Sequence, residues 1–178
     1  MNAQSTPLTV RLDVDDVASE FRCGSRSLDA FFARHALAND RRGIGSTYVL
    51  RREADDPPDL PRVLGYYTLS MGLLASSLVS LVTNDKLPRY PMPVGLVGKL
   101  ASDERTRGRN LRVGETLLLD AIARILDAAD SIGCVGVAVD AKDATAEGFY
   151  VKYGFVTVDA WDWPHKMFLP LATARGLL

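Results

Sequence analysis

Hydrophobic positions along the chain change period several times, and each change marks an element. Leu8 to Leu12 (LTVRL) alternates apolar with polar residues and predicts a first strand, with Met1 to Pro7 expected to be loose. Phe21 to Leu28 (FRCGSRSL) is punctuated by Gly24 and two serines and predicts a loop. Ser27 is placed to cap a helix through Asp40, with Leu28, Phe31, Phe32, His35 and Leu37 forming a mostly apolar face. Arg41-Arg42-Gly43-Ile44-Gly45 stops that helix, and the β-prone run Thr47 to Leu50 predicts a second strand. Between Glu53 and Pro61 lie three prolines and four acids, which fits a surface hairpin loop without catalytic content. Val63 to Ser70 (VLGYYTLS) follows as a third strand, while the apolar, serine-bearing run Leu73 to Val82 suits a strand or a helix equally.

The second half is more regular. Prolines 88, 91 and 93 remove donors and fix φ, so Leu87 to Pro93 is expected to be irregular. Val94 to Ala101 predicts a fourth strand that feeds a basic loop and then a long amphipathic helix. Leu117, Leu118, Ala121, Ile122 and Ile125 mark the buried face of that helix. Cys134 to Val139 (CVGVAV) is almost continuously apolar, as a strand covered on both faces must be. Asp143 to Tyr153 predicts a short helix with Gly154 at its C-cap, then a strand over Phe155 to Val158. A last strand, Lys166 to Leu171, precedes a tail expected to fray. No internal repeat is visible, and the order of elements predicts one mixed α/β domain with two strand–helix units in its second half.

Composition narrows the class. Apolar residues make up 47% of the chain and charged residues 24%, the balance of an ordinary globular protein. The longest apolar runs stop far short of a membrane span and the polar N-terminus lacks signal-peptide features, so a cytoplasmic, non-membrane protein is expected. Cys23 and Cys134 are far apart and fit reduced thiols better than a disulfide. With His35 and His165 the only histidines, no metal site is expected. The net charge of −1 hides segregation: seven arginines fall between Phe21 and Arg52, against Asp29 and Asp40. Such a face can steer a polyanion, or be simply solvated.

Candidate chemistry concentrates in two stretches. The loop before the long helix carries Arg105, Arg107, Arg109 and Arg112 around Gly108 and ends in Gly114. A helix N-terminus offers unpaired N–H groups and partial positive charge, so this stretch suits a phosphorylated ligand; a solvated basic loop is the competing reading. In the second stretch, Ala146, Phe149, Tyr150 and Tyr153 give the short helix an aromatic side. Phe149 fits core packing. Phe149-Tyr150-Val151-Lys152-Tyr153-Gly154-Phe155 reproduces the pattern F-Y-x-x-x-G-F. With the strand, basic loop and helix ahead of it, this resembles the GCN5-related N-acetyltransferase (GNAT) family.

The front half resembles one branch of that family, the GNAT toxins of bacterial toxin–antitoxin pairs. Phe21-Arg22-Cys23-Gly24, Leu28-Asp29-Ala30-Phe31-Phe32 with Ala36, Gly45-Ser46-Thr47-Tyr48-Val49 and Gly65-Tyr66-Tyr67-Thr68-Leu69 carry the likeness. It continues through the proline segment and Lys99-Leu100-Ala101 to Met167-Phe168-Leu169-Pro170-Leu171, covering nearly the whole chain.

The resemblance implies an α/β (α+β) GNAT fold filling residues 1–178 as one domain. Its mixed sheet would have six to seven strands splayed between the fourth and fifth, flanked by about four helices. It implies acetyl-CoA as co-substrate, its pantetheine arm paired near Leu100, Ala101 and Ser102 and its pyrophosphate on amides from Arg107 through Gly108, Arg109, Asn110, Arg112, Val113 and Gly114 to Glu115. The family loop resembles Q/R-x-x-G-x-G/A. Counted back from the helix, Gly114 matches its last glycine while Arg112 takes the place of the earlier one. Counted forward from Arg107-Gly108, the start matches and the loop is two residues longer, which is the reading preferred because both ends fit. Tyr150 is implied as the general acid for the departing thiolate; a phenol with an ordinary pKa near ~10 stays protonated at neutral pH.

For the toxin branch the implied substrate is the α-amine of aminoacyl-tRNA, with Arg22, Arg41, Arg42 and Arg52 placed to meet tRNA phosphates. A ribbon-helix-helix antitoxin and a homodimer are implied as partners. Against tRNA stands a pI of about 6.1. The alternatives are acetylation of a small amine or a protein amine, or a CoA-binding interaction protein without turnover. Four other features carry less. Cys23 has no neighbouring histidine in sequence, and Cys134 falls in the buried strand. His35 suits a structural role or amine deprotonation. Trp161-Asp162-Trp163 suits a hairpin cap, an aromatic substrate wall or a dimer contact.

Overall fold

A computed structural model describes residues 8–178, so the expectation for Met1 to Pro7 lies outside the described residues. In chain order the elements are β1 (Val10–Arg11), α1 (Val14–Val17), α2 (Arg26–Arg34), α3 (Ala36–Arg41), β2 (Ser46–Arg51), β3 (Val63–Leu74), α4 (Ser76–Thr83) and β4 (Met92–Ser102). A 3₁₀ turn at Glu104–Thr106 leads to α5 (Val113–Ala129), β5 (Gly136–Ala141), α6 (Ala144–Val151), β6 (Val156–Asp159), β7 (His165–Pro170) and α7 (Leu171–Arg175). The strands form one mixed sheet in the order β1-β2-β3-β4-β5-β7-β6. β4 and β5 run parallel, whereas β1–β2, β2–β3, β5–β7 and β6–β7 are antiparallel. The parallel ladder joins only Gly95–Val97 to Val137–Val139, although β4 continues to Ser102 and β5 to Ala141. That is the interruption expected of a sheet splayed at its fourth and fifth strands.

The described residues pack as two compact units, one holding those up to Leu69 with Lys99–Ala121, the other Ser70–Gly98 with Ile122–Leu178. In the first, Phe21, Phe32 and Tyr66 form an aromatic cluster with ring centroids 4.8–5.4 Å apart, surrounded by Leu12, Cys23, Ala36, Val49 and Val63. Tyr66 donates to the Leu28 carbonyl at 2.9 Å, and burial pushes its phenol well up. Gly65 lets α5 lie directly on β3: a Cβ there would come within 2.6 Å of Leu117 and 2.8 Å of the Ala101 carbonyl. In the second unit, Leu74, Val79, Met92, Val94, Ala138 and Phe168 make the core. Val137 to Val139 of β5 and Met167 to Leu169 of β7 are all buried, which is why those runs are nearly continuously apolar.

Several elements differ from the sequence expectation. The helix predicted from Ser27 through Asp40 is two helices broken at His35, whose backbone (φ −124°, ψ −29°) closes α2 and opens α3. His35 is therefore exposed and not part of an apolar face. Ser25, not Ser27, occupies the N-cap position of α2. Only Val10–Arg11 of the first predicted strand pairs, and β3 runs on to Leu74 before the ambiguous stretch becomes α4. The strand expected from Cys134 begins at Gly136, leaving Cys134 half-buried before it with its thiol 3.3 Å from the Gly136 carbonyl. The tail is helical instead of frayed, because Leu171 donates to the Val135 carbonyl and Ala174 is buried. Seven α-helices stand among the described residues where about four were expected; the extra ones are short.

Candidate active site

Asp103, at the end of β4, organises the turn that follows. Its fully buried carboxylate accepts from the amides of Arg22 (2.9 Å) and Arg105 (3.0 Å), and from Nε and Nη2 of Arg105 at 2.8 and 2.9 Å. Burial alone would raise this carboxyl; the Arg105 guanidinium and the two amides outweigh it and hold Asp103 below the usual carboxylate range. Thr106 Oγ1 closes the 3₁₀ turn on the Asp103 carbonyl at 2.7 Å. The chain then takes a left-handed backbone at alternate residues: Gly108 (φ +72°), Asn110 (φ +57°) and Arg112 (φ +49°).

Alternation of this kind turns successive N–H groups toward one side, the geometry of an anion-binding nest. Among the described residues, the amides of Gly108, Asn110, Leu111 and Arg112 donate to no backbone acceptor. The first helical bond of α5 runs from the Thr116 amide to the Arg112 carbonyl (3.0 Å), so Val113, Gly114 and Glu115 also present open N–H groups. Both positions weighed for a glycine, 108 and 112, have left-handed backbone. An arginine held there costs on the order of 1–2 kcal/mol, strain of the sort kept at ligand sites.

The arginines of this turn point elsewhere. Arg105 also donates to the Glu20 carbonyl, Arg107 to the Cys23 carbonyl (2.5 Å), and Arg109 forms a two-pronged pair with Asp59. Arg112 pairs with Glu115 at 2.6 Å while remaining 69% exposed. The polarity available to a phosphate here therefore comes first from the backbone. Of the strand residues ahead of the turn, Ala101 is buried and Leu100 and Ser102 are half-buried. Arg22, Arg41 and Arg42 present exposed side chains, whereas Arg52 is tied to the carbonyls of Pro58 (2.7 Å) and Leu60 (3.3 Å) in the acidic hairpin. Cys23 is buried, its amide donating to Asp29 at 2.8 Å.

Tyr150 lies in the other unit, on α6. Asp143 caps this helix by accepting from the Ala146 amide at 2.8 Å, and the chain leaves it through Gly154 (φ +88°). The Tyr150 ring is packed between Phe149 (5.3 Å) and Phe155 (5.5 Å) and is 7% exposed. Its hydroxyl has no hydrogen-bond partner among the described residues, yet it is not one of the sealed, unsatisfied polar atoms. Burial first, and then the charge of Asp140, push the phenol up to about 12. A phenol so placed keeps its proton at neutral pH.

One cluster escaped the sequence reading. Glu147, one turn before Tyr150, accepts from His165 Nδ1 (3.2 Å) and from Thr157 Oγ1. The Thr157 hydroxyl first, and then His165, hold this carboxyl below its ordinary value. Trp163 lies flat on the His165 ring, 3.5 Å between centroids and 6° between planes. Only the i, i+3 relation of Glu147 to Tyr150 was visible beforehand. Among the described residues no group of three His, Cys, Asp or Glu side chains is placed to hold a metal ion.

Comparison with known proteins gives this geometry its context. Over 178 residues the chain is 36% identical to the tRNA-acetylating toxin of Mycobacterium tuberculosis, covering all of this chain and 99% of that one. The chain belongs to the GNAT toxin family. Solved GNAT toxins share its fold: AtaT complexed with acetyl-methionyl-tRNAfMet is 28% identical with a TM-score of 0.78, covering 95% of this chain and 97% of that one. A tyrosine-to-phenylalanine variant of AtaT, bound to the C-terminus of the antitoxin AtaR and to acetyl-CoA, is 25% identical with a TM-score of 0.75, each chain 96% covered. No protein-family model matches the chain.

Proposed function

We propose that this chain is an acetyl-CoA-dependent N-acetyltransferase that acetylates the α-amine of aminoacyl-tRNA and so acts as a translation-blocking toxin. The observation that carries the reading is the full-length match to a tRNA-acetylating toxin, joined to the AtaT complexes with acetyl-methionyl-tRNA and with acetyl-CoA. Acetyl-CoA supplies the acetyl group as an activated thioester. The open amides from Gly108 to Glu115 would hold its diphosphate, and Leu100, Ala101 and Ser102, in the part of β4 beyond its ladder with β5, would take its pantetheine arm. Tyr150 gives its proton to the leaving sulfur, a role supported by its protonated state and unbonded hydroxyl. Exposed Arg22, Arg41 and Arg42 offer charge to tRNA phosphates; Arg52 contributes less, since the acidic hairpin holds it.

A substrate of this kind places the enzyme in the cytoplasm, and no described helix is long and apolar enough to cross a membrane. The partners proposed are a ribbon-helix-helix antitoxin and a second copy of the chain, with residues 1–178 working as one acetyltransferase domain. The test is acetyl transfer from labelled acetyl-CoA to purified charged tRNA, run beside Tyr150→Phe. Transfer by the intact protein and a loss of about 10²-fold or more in kcat for the variant are expected. Unchanged kcat in the variant would remove Tyr150 from the mechanism, and no transfer to any charged tRNA would remove the substrate.

A further inference from the structure

The acetyl transfer proposed above needs more than a proton donor. An α-ammonium with a pKa of about 7.7–8.0 is only about one-tenth neutral at pH 7, and only the neutral amine attacks a carbonyl. Tyr150 cannot take that proton, because it holds its own up to about 12. Some other group must accept it, or the enzyme runs on the small neutral fraction.

We propose that His165 is the general base that takes the proton from the attacking amine, held for that task by Glu147 and Trp163. The geometry is that of an oriented imidazole. Its Nδ1 faces the Glu147 carboxylate at 3.2 Å, which fixes the proton on Nδ1 and leaves the Nε2 lone pair open. Glu147 is itself held by Thr157 Oγ1, and Trp163 covers one face of the ring at 3.5 Å, so the imidazole cannot swing. The position is right as well. His165 pairs across the sheet with Ala141, the last residue of β5, while the neighbouring Asp140 acts on Tyr150. Glu147 and Tyr150 stand one turn apart on α6 and share a face. Base and acid thus flank the same end of β5. His35, the other histidine, is exposed at the α2–α3 break with no carboxylate partner among the described residues.

The step balances without a further reactant. His165 Nε2 takes one proton from the ammonium, and the freed nitrogen pair forms the N–C bond to the acetyl carbon. The C–S bond breaks, its electron pair stays on sulfur, and the Tyr150 proton makes the thiol. The second nitrogen proton, shed as the amide forms, restores the Tyr150 hydroxyl, and His165 releases its proton to solvent. Glu147 is a positioning residue in this scheme.

This inference rests on the acetyltransferase reading, and the experiment separates the two. Wild type and His165→Ala are compared at pH 7 and pH 9 on charged tRNA and on an amino-acid methyl ester, with and without free imidazole. The charged residues on the elements packed around the ring are the same in both proteins: Glu147 on α6, Asp140 and Lys142 at the end of β5 and just beyond it, Asp159 on β6, and Lys166 on the strand of His165. The variant is expected to be about tenfold slower at pH 7, to come within about threefold at pH 9 where the amine is already neutral, and to recover at pH 7 when imidazole fills the slot beside Trp163. Equal rates at pH 7 overturn the assignment. So does a deficit that persists at pH 9 and ignores imidazole. If His165→Ala melts several degrees early, His165→Asn, whose amide still reaches Glu147, is read by the same criteria. Transfer to the ester but not to tRNA refutes the tRNA substrate and leaves His165 to be judged on the ester; no transfer to either refutes both.

Discussion

Asp103 shows how much a single side chain can decide. Four donors converge on a carboxylate with no solvent to replace them, so Asp103→Asn removes charge-assisted bonds worth about 1.5–3 kcal/mol and loosens both the 3₁₀ turn and the Phe21–Gly24 loop. We expect acetyl-CoA KM to rise about tenfold while kcat stays within about twofold, as measured by initial rates at saturating charged tRNA. A fall in kcat with KM unchanged would mean that the turn does not grip the co-substrate. In the sequence Asp103 was one acid in a basic loop, and nothing in its spacing announced that it would be sealed. Tyr150 is singled out by the seven-residue pattern that surrounds it. Glu147 and His165 are not, because eighteen positions separate them and only the β5–β7 register and the β6–β7 hairpin bring them together.

Elements tell the same story through packing. The long runs were readable: α5 carries a strong helical period and β5 an almost continuous apolar run. The break at His35 was not, because apolar spacing continues through Ala36 and Leu37 without a glycine or proline to signal it. α4 was ambiguous since three of its eight residues, Ser76, Ser77 and Ser80, have no strong preference, and α7 is too short to show a period. Close approach of α5 to the sheet depends on glycine at 95, where a Cβ would come within 2.5 Å of Ile125. Gly95→Ala should therefore destabilise the protein by ~1–3 kcal/mol in chemical unfolding, as overpacked cores do. Ile125→Ala in the same chain should cost less than the sum of the two single changes. Additive costs would show that the helix slides aside without strain.

At the scale of the whole molecule, pH reports on the buried charges. Burial raises Asp16, but the Arg51 guanidinium, the Asp13 amide and Arg62 outweigh it and bring its pKa below 3.8, as Arg105 does for Asp103. Both groups are depressed in the folded state, so their contribution is full above pH 3.8 and lost as pH falls through their folded values. Asp16→Asn should flatten the acid limb of a melting-temperature profile; an unchanged limb would show that other groups control it. Tyr150 acts at the opposite end, its stability present below pH 10 and lost as pH rises toward 12, a limb that Tyr150→Phe should soften.

The acidic, proline-rich hairpin, expected from the sequence to carry no catalytic content, holds Asp59, which engages the Arg109 guanidinium. A phosphate arriving at the turn thus meets a cation already claimed by a rival anion. On the proposed reading, Asp59 thus competes with the acetyl donor for Arg109 from a loop that carries none of the reacting groups.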